Sequence, residues 1–384
     1  MRIVMVGGGV IALMTAVEAV SAGHEVVMYD RAEIPNPRAA SYDRHRVIRA
    51  LHPRDPAATA AAVRAHGRWT DLQDLLSAQF YSQVGALTAL PPNELPRARA
   101  MVTAVAAPAH VLGPDELASR YPHIRFPAGG GAILESLAGV LLADRILAAC
   151  ASWLDRHPRA ALHPHREAAG VDPHGPAVRF VGGDEVAADA VLVAAGPWSR
   201  ALLAPEIAGE LALYRQSMLY CEVPAAAAAG WSVTPPMLAL GADGGAWLVP
   251  PVAGTPLKLS AASACRVVAE VGDTTTTPYW RDHLIDTFSG VIAGFRADWV
   301  TDARDCYYLA RADAGGAMLV ALGRSVLSYA ACGGSSFKFA PLIARSLIER
   351  LTGADPAPTG LEALDGAIVP VPSERTVGTR RPAH

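Results

Sequence analysis

The N-terminal thirty residues constrain the fold more than any other part of the chain. An apolar strand that begins at Arg2 runs into the glycine triplet Gly7–Gly9, a helix-like stretch follows, and a second strand ends in Asp30. This order is typical of the β-loop-α-β unit that binds the pyrophosphate of a dinucleotide at the N-terminus of its helix. Asp30 lies about twenty residues beyond the glycines, where a carboxylate reaches a ribose hydroxyl. The motif predicts a dinucleotide site and leaves nicotinamide and flavin open.

The small residues of this loop have separate expected roles. Gly7 allows a tight turn, and Gly9 lets the backbone approach the phosphates without a Cβ in the way. Val10 and Ile11 open the helix, whose free N–H groups and partial positive charge favour an anion. Glycine triplets also occur in purely structural turns, so the prediction depends on the two strands and on the acid that ends the second.

Composition excludes other classes of protein. The 384 residues carry a formal net charge of −3 and are 51% hydrophobic, so there is no basic surplus for nucleic acid. No window approaches about 20 uninterrupted apolar residues, and the first strand leaves no room for a signal peptide, so we expect no membrane association. The five cysteines form neither a metal-ligand pattern nor a disulfide framework, which predicts a cytoplasmic protein without a metal. We expect a monomer or a small homo-oligomer.

Elements of the dinucleotide-binding fold recur at the start, middle and end of the chain, so the stretches between them should form a second domain. We predict an α/β protein (α+β overall) in which a Rossmann-like cofactor domain is interleaved with a mainly antiparallel β domain for the substrate. We expect the cofactor domain over 1–83, 132–212 and 301–364. We expect the substrate domain over 84–131 and 213–300, and a flexible tail over 365–384. Nicotinamide dehydrogenases more often keep the dinucleotide domain in one block, so the interleaving favours a flavin.

Local patterns predict the main elements outside the N-terminal unit. Helical periodicity covers 57–76, 141–154 and 341–351, and the stretch 190–196 is apolar enough for a buried parallel strand. Gly182 and Gly183 predict the turn of a hairpin. The stretch 84–130, including the strand-like run 102–106, and the stretch 213–300 read as short strands joined by turns and loops.

Four clusters carry side chains suited to chemistry, and each also has a structural explanation. A basic loop over 41–49 is either a solvated surface or an anion grip. Glycine after the strand at 190–196 lies where open α/β sheets bind ligands, or is a simple turn. A cysteine beside two tyrosines at 306–308 is either buried or reactive. A lysine between two phenylalanines, in the run 332–341, either reaches solvent or adds positive charge near a helix start.

Taken in order, the motifs resemble the D-amino-acid-oxidase-type superfamily of flavoproteins. Within it, the chain most resembles the monomeric sarcosine oxidase branch, which includes N-methyl amino acid and cyclic imino acid oxidases. The resemblance covers residues 1 to about 353. It rests on Gly7-x-Gly9, Arg46-x-x-Arg49, Ala195-Gly196-Pro-Trp, Tyr214-Arg-Gln, Leu257-Lys258, Cys306-x-Tyr308 and Phe337-Lys-Phe-Ala-Pro.

The resemblance implies an FAD cofactor that is attached through a thioether at Cys306, whose thiolate needs a local positive charge. Lys258 matches the family lysine that activates oxygen, and Arg49 and Lys338 match the residues that hold the substrate carboxylate. Tyr308 lines the same pocket or packs against it. The predicted cofactor-binding residues are Gly7, Gly9, Val10, Ile11, Asp30, Arg31, Ser41, Arg46, Ala195, Gly196, Trp198, Cys306, Gly334, Ser335, Phe337 and Lys338.

The implied reaction is the oxidation of a secondary amine, amino acid or cyclic imino acid, including intermediates of biosynthesis. A hydride passes to flavin N5, leaving an imine, and O2 is reduced to H2O2. Alternatives are an amine dehydrogenase that uses another electron acceptor and a non-catalytic flavoprotein. Two departures touch the substrate side: Ala262 replaces a family histidine, and Ala310-Arg311-Ala312 replaces the usual Thr-Pro-Asp. The substrate is therefore expected to differ from sarcosine, with Arg311 as a further anion contact.

Overall fold

The structure of the protein is a computed structural model, which describes residues 1–366 and 369–370. Within them the helices are α1 (Val10–Ser21), α2 (Pro56–Leu76), α3 (Leu95–Ala104), α4 (Pro114–Arg120), α5 (Ala143–Asp155), α6 (Pro205–Gly209), α7 (Ala228–Trp231), α8 (Pro278–Val291), α9 (Ala340–Leu351) and α10 (Glu362–Asp365). The strands are, in chain order, β1 (Arg2–Val6), β2 (Glu25–Tyr29), β3 (Arg46–Ile48), β4 (Tyr81–Ser82), β5 (Ala86–Leu90), β6 (Ala109–Leu112), β7 (Gly131–Glu135), β8 (Gly139–Leu141), β9 (Ala160–His163), β10 (Ala168–Asp172), β11 (Ala177–Phe180), β12 (Glu185–Ala187), β13 (Ala190–Val193), β14 (Leu211–Cys221), β15 (Met237–Leu240), β16 (Ala246–Val249), β17 (Leu257–Ala261), β18 (Cys265–Val268), β19 (Val300–Arg311), β20 (Ala317–Gly323), β21 (Val326–Cys332) and β22 (Val369–Pro370).

A seven-stranded sheet forms the core of the N-terminal unit, with the strand order β22-β20-β21-β13-β1-β2-β9. The strands from β21 to β9 run parallel to one another, and β20 runs antiparallel to β21. Helices α1, α5 and α9 pack together against one face, and the small sheet β10-β11-β12 packs against the other. Both faces are therefore covered, which is why β13 is apolar along its whole length and β1 is apolar from Ile3 onward.

A nine-stranded sheet forms the second layer of the fold. Its order is β18-β14-β17-β16-β15-β5-β7-β6, and β19 pairs with β14. All of its pairings are antiparallel except that between β5 and β15. Helix α8 covers this sheet through Leu284 and Phe288, which are fully buried. The long pairing of β14 with β19 brings Gln216 opposite Cys306 and Tyr214 opposite Tyr308.

A third sheet, with the order β3-β8-β4, contains β3, so part of the predicted basic loop over 41–49 is a strand. Helix α2 begins next to it, where the Asp55 side chain accepts a hydrogen bond of 2.9 Å from the Ala58 N–H and Pro56 occupies the first turn. The capped helix carries Trp69, whose indole N–H donates to the Lys338 carbonyl at 2.8 Å. Helix α2 thus contacts both this small sheet and the turn that carries Lys338.

The predicted fold class is confirmed, because a mainly parallel sheet is combined with a mainly antiparallel one. The predicted helices over 57–76, 141–154 and 341–351 correspond to α2, α5 and α9, and the hairpin over 178–184 to β11 and β12. The predicted division into domains stays a prediction. Three of its boundaries, at 132, 213 and 301, cut the nine-stranded sheet, because β7, β14 and β19 belong to that sheet and each crosses one of them.

Two local predictions were wrong. The run 102–106, interpreted as a strand, falls at the end of α3, whose buried face carries Ala98, Met101 and Val102. The stretch 213–300 contains α8 in addition to strands, because Leu284, Phe288 and Val291 recur at helical spacing. Of the predicted tail over 365–384, Asp365 ends α10 and β22 pairs with β20. Residues 367–368 and 371–384 lie outside the described residues.

Candidate cofactor and substrate site

The glycine loop between β1 and α1 has the geometry that the sequence predicts. Gly7 adopts φ +127°, and a Cβ placed on it would lie 2.3 Å from the carbonyl oxygen of Ala194. Its backbone conformation and the close approach of β13 therefore both require glycine. A Cβ on Gly9 would lie 3.3 Å from the Ser41 Oγ, so the loop is also tight on its other side.

Asp30 follows β2 directly and lies against this loop. Its Oδ2 accepts the Gly8 N–H at 2.6 Å, and its Oδ1 accepts the Ala32 N–H and the Asn36 side-chain amide, each at 2.8 Å. Burial raises the pKa of Asp30, and these hydrogen bonds oppose that rise. The carboxylate is therefore a fixed acceptor at the mouth of the loop, which suits a ribose hydroxyl.

A cavity of about 330 Å³ runs from the glycine loop to the nine-stranded sheet. At one end it meets the first turn of α1, where Ser41 Oγ accepts the Val10 N–H at 3.1 Å. At the other end it reaches Gln216, Met218 and Trp247 of the nine-stranded sheet. The predicted residues that line it are Gly7, Gly9, Val10, Ile11, Asp30, Ser41, Arg46, Ala195, Gly196, Trp198, Cys306, Tyr308, Gly334 and Phe337.

Predicted residues outside the walls of this cavity divide into two groups. Arg31 lies near its outer end, where the Arg31 and Arg38 guanidinium carbons stand 5.3 and 5.7 Å from the Trp198 ring centroid. Arg31 also lines a neighbouring cavity of about 80 Å³. Ser335 adjoins Gly334 but lines no wall of the main cavity, and the predicted catalytic groups Lys258, Arg49 and Lys338 lie behind its surface.

Cys306 lies on β19 at the inner end of the cavity, between cationic groups. Burial raises its pKa to about 11, while Arg46 and Lys258 act in the opposite direction. The positive charge that a reactive thiolate needs is therefore close by. Tyr308 follows on the same strand, stacks on Tyr214 at 5.4 Å between ring centroids and contacts the Cys265 sulfur at 3.4 Å.

Lys258 lies on β17 and forms an ion pair with Asp43, a residue that the sequence predictions did not assign a role. Lys258 is 1% exposed and stands 5.5 Å from the centroid of Trp247, a wall of the cavity. Burial and then Arg46 lower the pKa of Lys258, to about 8, although Asp43 opposes them. The Lys258 ammonium therefore does not line the cavity. It lies behind the wall, next to the wall residues Trp247 and Arg46.

Arg49 and Lys338 form a second buried cationic cluster with Glu135 of β7. Burial lowers the pKa of both cations, and Arg49 lowers that of Lys338 further, whereas Glu135 raises both. Among the described residues neither cation makes an ion pair within 4.0 Å of a carboxylate. The Arg49 Nη1 atom is buried and has no hydrogen-bond partner there.

Glu135 keeps the loop after Arg49 in place. Its carboxylate accepts the Ala50 N–H at 2.7 Å and the Leu51 N–H at 3.1 Å. The adjacent His52 imidazole is neutral, because burial, Lys338 and Arg49 lower its pKa to about 2. The cluster contains two cations and one carboxylate that is already bonded to backbone, so it attracts an additional anion.

The two departures from the family pattern lie away from the cavity walls. Ala262 is exposed at the end of β17, where its N–H donates to the Gly245 carbonyl at 2.9 Å. Arg311 ends β19 and pairs with Asp313 at 2.9 Å. Arg311 was expected to contact an anion in the substrate site, but this structure does not place it in the cavity walls.

The described residues suit a dinucleotide. The glycine loop, the first turn of α1 and Asp30 form the cradle for a pyrophosphate and a ribose, and the cavity continues to a thiol beside cations. No group of three or more His, Cys, Asp or Glu that could hold a metal ion occurs among residues 1–366 and 369–370. In the same residues, no helix has the length and apolar character that crossing a membrane requires.

Comparison with known proteins identifies the family. The profile of the family described as DAO, FAD dependent oxidoreductase, matches residues 2–350. The chain belongs to this family. The predicted superfamily and its FAD cofactor are thereby confirmed.

Curated relatives match a smaller part of the chain. Peroxisomal sarcosine oxidases of Mus musculus and Homo sapiens are each 23% identical to it, over 205 and 204 residues. These matches cover 53% of the chain and 52% of each relative, so the chain spans about half the length of the curated relatives it matches. They agree with the branch that the motifs resemble.

Solved structures share the whole fold. A mutant of NikD, an unusual amino acid oxidase essential for nikkomycin biosynthesis, has a TM-score of 0.77 and 17% identity over 96% of this chain and 98% of its own. A modified fructosyl peptide oxidase from Aspergillus nidulans has a TM-score of 0.79 and 19% identity, over 96% and 94% of the two chains. Amadoriase II from Aspergillus fumigatus has a TM-score of 0.76 and 17% identity, over 94% and 88%. At these identities the likeness concerns the fold.

Proposed function

We propose that the protein is an FAD-dependent oxidase of a secondary amine, amino acid or cyclic imino acid that carries a carboxylate. The observation that carries this proposal is the pair of Lys338, which is buried, and Arg49, whose Nη1 atom is buried without a hydrogen-bond partner among the described residues. Neither cation has a carboxylate within 4.0 Å there, and both lie behind the inner end of the cofactor cavity. Burying two cations together is unfavourable unless an anion joins them. A substrate carboxylate supplies that anion.

Different residues along the cavity would bind different parts of the cofactor. The glycine loop and α1 would take the pyrophosphate, Asp30 would take a ribose hydroxyl, and Cys306 would be the point of thioether attachment at the inner end. When bound, FAD accepts a hydride from the carbon that bears the substrate nitrogen. Arg46 and Lys258 support the covalent link, because they oppose the rise in the pKa of Cys306 that burial causes.

The protein orients the substrate through a contact with its carboxylate and through an apolar wall of the cavity. The carboxylate pairs with Arg49 and Lys338, and Glu135 fixes the backbone beside Arg49. Phe337, stacked on Trp69 at 6.0 Å between centroids, is a rigid apolar wall that excludes water next to Lys338. Holding the amine carbon in one geometry is the main contribution of these residues to the rate.

The second half of the reaction needs positive charge where dioxygen is reduced. Lys258 and Arg46 are fixed cations near the inner end of the cavity, and they stabilise the anion that develops on oxygen. Replacing Lys258 by Met should slow reoxidation of the protein by oxygen far more than its reduction by substrate. Equal losses in stopped-flow measurements of the two steps would remove the role of Lys258.

The proposal is tested by anaerobic bleaching of the yellow holoenzyme with a panel of matched amines. N-methyl amino acids and cyclic imino acids should bleach the flavin, and the corresponding amines without a carboxylate should do so far more weakly. Peroxide release in air should follow the same ranking. If no amine bleaches a protein with full FAD occupancy, the protein is a non-catalytic flavoprotein and the proposal fails.

The electron acceptor is tested separately. We expect oxygen uptake to account for all the electrons that leave the substrate, with no further increase when an artificial acceptor is added. An amine dehydrogenase would consume substrate only with the artificial acceptor. A cytoplasmic location and a monomeric or small homo-oligomeric state remain part of the proposal, on the cysteine pattern and composition of the chain.

A further inference from the structure

Asp43 is the hub of a buried polar cluster that connects three elements. Its Oδ2 accepts hydrogen bonds from the Lys258 ammonium and from Arg46 Nη1, the latter at 2.8 Å. Its Oδ1 accepts the Tyr220 hydroxyl and the Arg44 N–H, each at 2.7 Å. Four donors fill the four lone-pair positions of this carboxylate, so its orientation is fixed.

The cluster determines the charge of Lys258, because Lys258 is a buried residue of β17. An ammonium that is 1% exposed and next to an arginine loses its proton unless a carboxylate stabilises it. Asp43 is the only carboxylate within 4.0 Å of the Lys258 nitrogen in the part of the chain that the structure describes. Lys258 and Arg46 together lower the pKa of Asp43 against the effect of burial, so Asp43 itself stays charged.

We propose that Asp43 is a positioning residue that keeps Lys258 charged and fixed as the proton donor for dioxygen, and thereby determines whether electrons from the substrate pass to oxygen. This inference rests on the proposed oxidase function. It concerns a residue that lines no wall of the cofactor cavity and acts through the two cations that it binds, Lys258 and Arg46. Asp43 should therefore control the choice of acceptor and leave substrate oxidation in place.

The proton balance gives Lys258 its task. Reduction of O2 to H2O2 takes two electrons and two protons. The C–H bond of the substrate breaks as a hydride, which supplies both electrons and one of the protons. The second O–H bond forms with a proton from the Lys258 ammonium, whose N–H bond breaks. The neutral Lys258 amine regains its proton from solvent, to which the iminium product gives up its N–H proton as it becomes the imine, so the protons balance. Solvent reaches the cluster through a second cavity of about 840 Å³ lined by Asp43 and Tyr220.

Ionisation of Lys258 can be followed directly, because the chain contains only two lysines among its 33 basic residues. Growth on ¹³C-lysine therefore gives two Cε signals in the holoenzyme, and Lys338→Met assigns them. The other titratable groups that face Lys258 change charge in other pH ranges. Burial is the main cause that lowers the pKa of His45 to about 3 and raises that of Cys306 to about 11. Burial also raises the pKa of Tyr220 well above its usual value.

The test is Asp43→Asn, examined by NMR and by rapid kinetics. In the wild-type protein the Lys258 signal should titrate near pH 8. In the variant the midpoint should fall by at least about one pH unit, because burial and Arg46 act on Lys258 without a counter-charge. Reoxidation by oxygen should slow by about 10²-fold at pH 7, a loss of the size found when one charge-stabilising donor is removed. Reoxidation by ferrocenium and anaerobic reduction by substrate should change little.

Asp305→Asn provides a matched control. Asp305 is also a buried carboxylate between two arginines, Arg215 and Arg266, and it accepts the Thr276 hydroxyl at 2.8 Å. Its loss should lower stability much as Asp43→Asn does, but should leave the Lys258 midpoint and the oxygen rate at their wild-type values. Asp43→Glu, which keeps the charge, should restore part of both.

The outcomes separate this inference from the proposed function. If wild-type protein oxidises an amine with oxygen but Asp43→Asn leaves the Lys258 midpoint and the oxygen rate unchanged, the inference is overturned and the proposed function stands. Equal slowing of the oxygen and ferrocenium reactions also overturns it, since the damage is then general. If the wild-type protein oxidises no amine, the proposed function fails, and the NMR midpoints still decide whether Asp43 controls the charge of Lys258.

Discussion

Replacing Lys338 by Met should stabilise the protein and weaken binding of its substrate at the same time. Lys338 is 8% exposed, and the only carboxylate that raises its pKa, Glu135, is already hydrogen-bonded to two backbone N–H groups. The folded protein therefore holds a poorly compensated cation beside Arg49. Methionine keeps the length of the side chain and removes the charge. Because Lys338 is in no ion pair that its loss would break, we expect a gain in stability of about 1–4 kcal/mol, the range found when buried ion pairs are replaced whole by apolar groups.

The pH dependence identifies the cause. Burial lowers the pKa of Lys338 in the folded state well below its unfolded value. Between those two pKa values the unfolded chain binds more protons, so the stability of the wild-type protein rises with pH, by up to about 1.4 kcal/mol per pH unit. The variant lacks this contribution. Its advantage in free energy of unfolding should be largest at low pH, shrink across the window, and vanish above about pH 10.4, the ordinary lysine pKa.

The assay is urea unfolding of the holoenzymes at pH 6 to 10, together with substrate titrations of the oxidised flavin. A charged hydrogen bond to the carboxylate contributes about 1.5–3 kcal/mol, so the variant should bind amino acid substrates about 10- to 100-fold more weakly. Amines without a carboxylate should bind both proteins alike. A variant that is less stable than the wild type at every pH, or whose stability changes with pH in parallel with it, would refute the reasoning about a poorly compensated buried cation.

Three further substitutions test other parts of the site. Gly7→Ala should give a protein that retains little FAD, because its Cβ would lie 2.3 Å from the Ala194 oxygen at φ +127°; flavin absorbance per protein after gel filtration measures this. Cys306→Ser should give yellow protein whose colour is lost to the supernatant on acid precipitation, whereas wild-type colour stays in the pellet. Glu135→Gln should raise KM for amino acid substrates with a smaller change in kcat, because the loop at Leu51 loses a charged acceptor; steady-state kinetics at fixed oxygen would show the split.

The predicted site residues that local sequence patterns could place in the cavity walls are those that depend on backbone geometry. A glycine with positive φ, a strand that ends in an acid and a buried parallel strand leave local patterns, because neighbouring residues alone create them. The cavity walls Gly7, Asp30 and Gly196 were predicted for this reason. Cys306 needed the family resemblance, since a single cysteine beside tyrosines has no local signature.

The partners of the buried cations could not be predicted in the same way. A buried lysine requires a counter-charge, but any of 36 acidic residues could supply it, and periodicity does not say which. Asp43 reaches Lys258 across 215 positions of chain, and Glu135 meets the loop after Arg49 across 84 or more. Such contacts are set by how the two sheets dock. Helix α8 was missed for a related reason, because polar residues on its outer face obscure its apolar stripe.

One compositional signal did point to the site without any knowledge of the fold. Lysine and arginine serve equally well as solvated surface charges, so a chain that uses arginine nearly everywhere has little reason to keep lysine outside a special environment. The only two lysines of this chain, Lys258 and Lys338, are 1% and 8% exposed. Arginine stays protonated in almost any protein environment, whereas the charge of a buried lysine depends on its neighbours. The two positions where this chain departs from arginine are therefore the two where a cation can release or be deprived of a proton, and these are the positions to which the proposed chemistry assigns proton donation and substrate binding.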